Sequence, residues 1–333
     1  MSRKRVLGVK NLNVRYKTQK GPVHAVNDVT FDVFENEVFG IAGESGCGKS
    51  TAARAILRLV EPTSGEVFYR NHNLIALKQN KLRSLRKEMQ IIFQDPLASL
   101  NPRKLIRKIL EEPFDIHGFS ESKDKESRVS SLLKRVGLTP DQAEKYPHEF
   151  SGGQLQRIGI ARAIALNPSL IIADEPVSAL DVSIRAQIIN LLLDLKESMR
   201  ISYLFISHDM TIIRHFCDRV AVMYLGKIVE IADSASLFSN PRHPYTEALL
   251  AAVPSINLDK KKEDLKIGKQ YFLSGTIFTA RDKAHQKLLT EKNIPKELKN
   301  QIIYYCGPIF NEKNKITSAG PTTSARMDKY TKE

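Results

Sequence analysis

From Val6 to Val38 the apolar positions fall in short β-rich runs, LNVRY, VHAV and VTFDVF, broken by the turn signals QKGP and ENE. This punctuation predicts an antiparallel sheet. The next run, VFGIA at Val38 to Ala42, leads into a glycine-rich turn, and TAARAILRLV from Thr51 carries apolar residues at helical spacing. The predicted order is strand, loop, helix. Between Asp95 and Tyr146, KLIRKILEEPF and ESRVSSLLKRVGL are helical patterns separated by prolines, with few strand signals. They predict a helical insert, about residues 95–160. Alternation resumes with SLIIADE, RAQIINLLLDLKESM, ISYLFISHD and VAVMYLGKIVEI. Such alternation is the pattern of a parallel sheet with crossover helices. The fold class expected is α/β, with an antiparallel β subdomain and a helical insert subdomain attached to one core.

After Pro254 the periodicity weakens into lysine-rich DKKKEDLKIGK and the small-residue run TSAGPTTSAR. A boundary is expected there, giving a domain over 1–254 and a basic, partly disordered extension over 255–333. A helix is expected around Lys283 to Tyr304, interrupted at Pro295, and the last dozen residues are expected to be disordered. No run reaches the roughly 20 apolar residues that cross a bilayer, and the polar stretch after MSRKRVLGVKNL does not read as a signal peptide. The scattered Cys47, Cys217 and Cys306 read as reduced thiols. Lys+Arg number 51 against 37 Asp+Glu, a formal charge of +14, so a polyanion such as ATP, nucleic acid or an anionic membrane face is a plausible neighbour. A solvated surface rich in lysine explains the charge as well.

Candidate chemistry is concentrated in three strings. Gly43-Glu44-Ser45-Gly46-Cys47-Gly48-Lys49-Ser50-Thr51 fits GxxxxGK[ST] between an apolar strand and a helix, the context that motif requires. It predicts a phosphate cradle: glycines turn backbone N–H groups inward, Lys49 reaches the β/γ-phosphates, and the Ser50 hydroxyl ligates Mg²⁺. The core is therefore a P-loop nucleotide-binding core. Leu170 to Glu175, LIIADE, reads as a buried strand ending in two carboxylates, with Asp174 suited to the Mg²⁺ shell and Glu175 to polarising a water. Ser151-Gly152-Gly153-Gln154 is formally a capping box, yet each glycine in that first turn costs about 1 kcal/mol against alanine. A bare helix N-terminus offered to an anion would explain them.

Taken in order, the phosphate loop, SGGQLQR and IIADE resemble the nucleotide-binding domain of ATP-binding cassette proteins, whose signature is SGGQ. The resemblance extends to Gln94 in IIFQDP as the Q-loop glutamine, Ser178-Ala179-Leu180-Asp181 as the D-loop, and His208 as the switch histidine. It implies catalytic roles for Glu175, His208, Gln94 and Lys49, and places Ser50, Gln94 and Asp174 at the metal. Tyr16 stands where the family stacks an aromatic ring on adenine, with Phe31 a weaker second. Two such domains pair head to tail in this family, so the SGGQ of one subunit would close on the γ-phosphate held by the phosphate loop of the other, with Asp181 also among the nucleotide-binding residues. The cofactors implied are ATP and Mg²⁺.

QDPLASLNPR, the string around SGGQLQRIGIARAIAL, and HPYTEALLAAVP at His243 to Pro254 resemble one subfamily, the ATP-binding subunits of bacterial oligopeptide and dipeptide importers. That implies a peripheral protein on the cytoplasmic face of the cell membrane. Its expected partners are permease subunits, a second ABC ATPase in a homo- or heterodimer, and, indirectly, a substrate-binding protein. No nucleic-acid partner is expected. The subfamily often continues into a cysteine-bearing extension that holds an iron–sulfur cluster, but Cys306 is the one cysteine after Pro254, so no cluster is expected. Import of another small solute such as nickel is the first alternative. A soluble cassette ATPase acting on nucleic acid or ribosomes is the second, opposed by the lack of a second cassette, long coiled coils or paired zinc cysteines in this sequence.

Overall fold

A computed structural model of the chain describes residues 4–19, 21–118 and 122–252, and the strands at 278–280, 303–310 and 316–321. Two compact units divide between Val253 and Pro254. The first begins with β1 (Arg5–Thr18) and β2 (Gly21–Phe34), a hairpin in which VHAV and VTFDVF join into one strand. Val9 opposite Phe31, Leu12 opposite Val29 and Val14 opposite Val26 give that sheet its buried face. After β3 (Val38–Ala42) and α1 (Lys49–Ile56), β4 (Ser64–Tyr69) and β5 (His72–Asn73) return to the same sheet, whose order is β2-β1-β4-β5.

Next come α2 (Gln79–Arg86) and β6 (Met89–Ile92), and then the helices α3 (Pro96–Ser99), α4 (Ile106–Ile116), α5 (Ser122–Arg135) and α6 (Gly152–Ile164). Alternation then resumes with β7 (Leu170–Asp174), α7 (Val182–Met199), β8 (Ser202–Ser207), α8 (Met210–Phe216), β9 (Arg219–Tyr224) and β10 (Lys227–Asp233). Helices α9 (Ser234–Ser239) and α10 (Pro244–Ala251) close the unit.

The central sheet has the order β10-β9-β3-β8-β7-β6. It is parallel except for β10, which pairs antiparallel with β9. Every residue of β3, β7 and β8 is buried, as strands covered on both faces require. Their side chains alternate between two cores. Phe39, Ile41, Leu170, Ile172, Leu204 and Ile206 face a core shared with α1 and the antiparallel sheet. Val38, Ala42, Ile171, Ala173, Tyr203 and Phe205 face a second core built with the helices between β6 and β7 and with α7 and α8. Strands β3, β8, β7 and β6 are neighbours and run the same way, so the loops that follow them share one edge. Among the described residues, no helix is long and apolar enough to cross a membrane.

In the second unit β11 (Phe278–Ala280) pairs parallel with β12 (Ile303–Phe310), which pairs antiparallel with β13 (Ile316–Pro321). This corrects the sequence expectation in one place. Ile303 and Tyr304, expected to end a helix, begin a strand, as the β-branched and aromatic run IIYY favours. The small-residue run also contains a strand, β13. The remainder of the expected helix, residues 283–302, and the chain end expected to be disordered lie outside the described residues.

Candidate active site

The turn from β3 into α1 is constrained by what surrounds it. Gly43 (φ 150°) and Gly48 (φ 109°) hold dihedrals that side chains disfavour, and a Cβ there would lie 2.3 Å from the Met223 carbonyl oxygen and 2.1 Å from that of Ala25. Gly46 (φ 82°) opens onto free space, where a phosphate can approach the backbone. Glu44 and Ser45 are exposed, and Thr51 is half-buried in the first turn of α1. One wall is the β9–β10 hairpin, whose two-residue turn, Leu225 (φ 45°) and Gly226 (φ 82°), has both φ angles positive, as a tight hairpin demands. The Gly226 N–H donates to the Cys47 carbonyl at 2.9 Å, and its carbonyl accepts from the Asn27 N–H at 2.8 Å.

Within the loop the buried Lys49 ammonium donates to the carbonyls of Gly43 (2.8 Å) and Glu44 (2.7 Å). Cys47 packs beside it, with Sγ 3.8 Å from Nζ. Burial pushes the Cys47 thiol up, and the neighbouring Lys49 charge offsets part of that. The thiol is protonated at neutral pH and acts as a small filler of the loop.

Opposite the loop, the end of β7 supplies both carboxylates. Asp174 is 1% exposed and accepts a 2.7 Å hydrogen bond from the Ser50 hydroxyl. Burial raises its carboxyl above the usual carboxylate range, against the lowering effect of the Ser50 hydrogen bond. Two convergent hard oxygens, one of them on a carboxylate whose ionised form burial disfavours, fit a magnesium ion. Glu175 is left-handed (φ 47°), its N–H donating to the Ile206 carbonyl at 3.0 Å, and this conformation turns its side chain away from the strand's alternation. Three groups expected at the catalytic centre meet on it. Gln94 Nε2 donates to Oε2 at 3.3 Å, His208 Nδ1 lies 3.2 Å from the same oxygen, and Lys49 Nζ is 3.9 Å from Oε1. These residues come from the ends of four neighbouring strands, β3, β6, β7 and β8.

Ser151 caps α6: its hydroxyl accepts from the Gln154 N–H (3.4 Å), and Gln154 Oε1 accepts from the Ser151 N–H (3.0 Å). The capping box is thus formed, and the helix start is exposed at Ser151 and Gly152. Gly153 has a packing reason as well, since a Cβ there would lie 2.6 Å from Ile184 Cγ2 on α7. At Gly152 a Cβ would meet only Leu180, at an ordinary 3.6 Å. Asp181 precedes α7 as its exposed N-terminal flank, its carbonyl accepting from Ile184 and Arg185.

Tyr16 lies in β1 opposite Val23 and is 41% exposed, open to stacking by a planar ring. Phe31 is instead a core residue, 4% exposed and stacked on Phe39 at 5.0 Å, so it presents no face to a base. Residues that the sequence reading did not single out brace the site. Arg185 donates to the carbonyls of Leu180 (2.7 Å) and Ser178 (3.2 Å) and reaches Asp209 at 3.5 Å, joining the loop after β7 to the loop after β8. Arg162 of α6 donates to the Ser99 carbonyl at 2.6 Å, tying that helix to α3 beyond Gln94. Their signal in sequence is only that of arginines on amphipathic helices.

The chain is similar to known ATP-binding cassette proteins. A family profile described as ABC transporter matches residues 26–178. The oligopeptide transport ATP-binding protein AppF of Bacillus subtilis strain 168 is 55% identical over 240 residues, covering 72% of this chain and 73% of that protein. The glutathione import ATP-binding protein GsiA of Escherichia coli K12 is 56% identical over 256 residues, 75% of this chain but 41% of that longer protein. A solved dimeric bacterial ABC transporter cassette superposes with a TM-score of 0.63 at 31% identity, covering 68% of this chain and 98% of the cassette. A dimeric cassette in a post-hydrolysis state with ADP and phosphate gives the same score. A second profile, described as Fumarase C-terminus, matches residues 228–333, overlapping β10, α9 and α10 and running through the second unit. By its relatives and by its cassette fold, this chain belongs to the ATP-binding cassette family of transporter ATPases.

Proposed function

We propose that this ATPase powers the import of oligopeptides or dipeptides through a membrane permease, with Glu175 activating the water that attacks ATP. The observation that carries the catalytic part is the convergence of Gln94, His208 and Lys49 on the Glu175 carboxylate beside the phosphate loop. Identities of 55% and 56% to an oligopeptide and a glutathione import subunit, both named for peptide cargo, support the transport part.

The residues divide the chemistry as follows. The backbone of Gly43 to Thr51 cradles the phosphates, and the Lys49 ammonium moves from its own loop carbonyls onto the β/γ-phosphates. Ser50, Asp174 and Gln94 would hold Mg²⁺, which would supply positive charge against those phosphates. Glu175 accepts the proton of the attacking water, while His208 and Gln94 orient the carboxylate and sense the γ-phosphate. Tyr16 stacks on adenine. Ser151 to Gln154 and Asp181 complete the site of a paired cassette, so ATP binding closes the dimer and hydrolysis removes the contacts that favoured closure. The subunit lies peripherally on the cytoplasmic face of permease subunits, beside a second ABC ATPase, with a substrate-binding protein engaged indirectly.

The chain is read as a cassette over residues 1–254 and a basic extension over 255–333. The two compact units support that division near Pro254.

The test is co-purification of the Glu175→Gln form from its native membranes in ATP. Permease subunits, a partner ATPase and a peptide-binding protein are the expected companions. Recovery with ribosomes or nucleic acid and no membrane protein would overturn the transport reading.

A further inference from the structure

The HPYT string at His243 to Thr246 is separated by about two hundred residues from the phosphate loop, yet the two touch. Tyr245 Oη accepts a 3.3 Å hydrogen bond from the backbone N–H of Glu44. Several contacts fix the tyrosine. The Glu230 carboxylate on β10 accepts the N–H groups of Arg242 (2.9 Å) and His243 (3.0 Å), anchoring the approach to α10. His243 Nδ1 accepts the Tyr245 N–H at 3.1 Å as the cap of that helix, and Pro244 opens it with a preset φ. Thr246 is fully buried, pinning the first turn. The Tyr245 ring lies against that of Tyr224 at 4.3 Å, beside the hairpin turn whose Gly226 binds the Cys47 carbonyl.

We infer that Tyr245 is a positioning residue for nucleotide binding, holding the Glu44 peptide so that the phosphate loop keeps its shape when Lys49 turns to phosphate. Glu44 is tethered through both of its backbone groups. Its carbonyl receives Lys49 Nζ (2.7 Å) and the Cys47 N–H (3.3 Å), and its N–H is held by Tyr245. A phosphate that draws the ammonium away removes the stronger tether on the carbonyl side and leaves that of Tyr245 intact. Burial keeps the Tyr245 hydroxyl protonated well above neutral pH, so it can accept this N–H and still donate its own proton.

The inference rests on the phosphate loop binding ATP, which the same experiment reads separately. Full-length wild type, Tyr245→Phe, Glu44→Pro, the double variant and Tyr224→Phe are titrated with Mg-ATP by calorimetry, and steady-state hydrolysis and thermal midpoints are measured alongside. Tyr245→Phe keeps the ring and loses only the hydroxyl. Its affinity for Mg-ATP is expected to fall about three- to tenfold, the worth of one hydrogen bond, with kcat nearly unchanged and the nucleotide-free midpoint lowered by about 2–4 °C. Glu44→Pro removes the donor instead, so Tyr245→Phe should add nothing in that background. Tyr224→Phe should bind ATP like wild type. Unchanged affinity in Tyr245→Phe would overturn the inference, as would an additive double variant or a loss confined to kcat. A wild type that binds no ATP would refute the phosphate-loop reading itself.

Discussion

The Ser50 hydroxyl donates to Asp174 Oδ1 at 2.7 Å, so two residues expected to share a magnesium ion also share a proton. Burial raises the Asp174 carboxyl above its unfolded value. Such a group contributes stability that is complete below the unfolded pKa and is lost as pH rises through the folded one. Asp174→Asn removes that loss while keeping an acceptor for Ser50. Without nucleotide, its thermal midpoint near neutral pH should therefore lie above that of wild type. The advantage should vanish on acidification below the unfolded carboxylate pKa. Hydrolysis should be nearly lost. Calorimetric scans from acid to neutral pH check the first part, and a midpoint in the variant equal to wild type throughout would contradict it.

Glu175→Gln should still bind Mg-ATP but hydrolyse it at least about a hundredfold more slowly, the lower bound for removing a general base. Single-turnover assays separate the two effects. Turnover at the wild-type rate would move the role of base away from Glu175.

These two sites were legible in the sequence because their chemistry is contiguous. The roles proposed for Gly43 to Thr51 and for Asp174-Glu175 each lie within one loop, and the strand before each loop fixes its direction. Gln94 and His208 could be assigned only by resemblance, since nothing local says that β6 and β8 flank β7. Tyr245 and Arg185 were invisible for the same physical reason: each acts on a backbone group brought near by the fold. The end of the expected tail helix failed because helical spacing and a β-branched run overlap at Ile303 and Tyr304, and pairing with Phe278 and Thr279 decides for the strand.

Arg185→Met keeps the apolar stem of the side chain and removes its bonds to Leu180, Ser178 and Asp209. Loss of this bridge should lower kcat about tenfold, equivalent to about 1.4 kcal/mol, with little change in ATP affinity. Equal losses in kcat and affinity would show that it acts on the cradle instead.

The two signature glycines should separate cleanly. Gly153→Ala drives a methyl into Ile184 and should destabilise the cassette by about 1–3 kcal/mol, relieved by adding Ile184→Ala. Gly152→Ala has room and should leave urea unfolding unchanged, yet slow ATP-driven dimerisation, because its methyl stands at the exposed helix start. Unfolding curves and light scattering with Mg-ATP distinguish the pair.

Lys49, held by the carbonyls of Gly43 and Glu44, gives the loop a built-in selectivity threshold. A ligand must outcompete two main-chain oxygens for one ammonium, which a singly charged anion does poorly and a polyphosphate does well. Lys49 is thereby expected to turn toward a ligand carrying several negative charges, as a polyphosphate does, rather than toward a small monovalent anion.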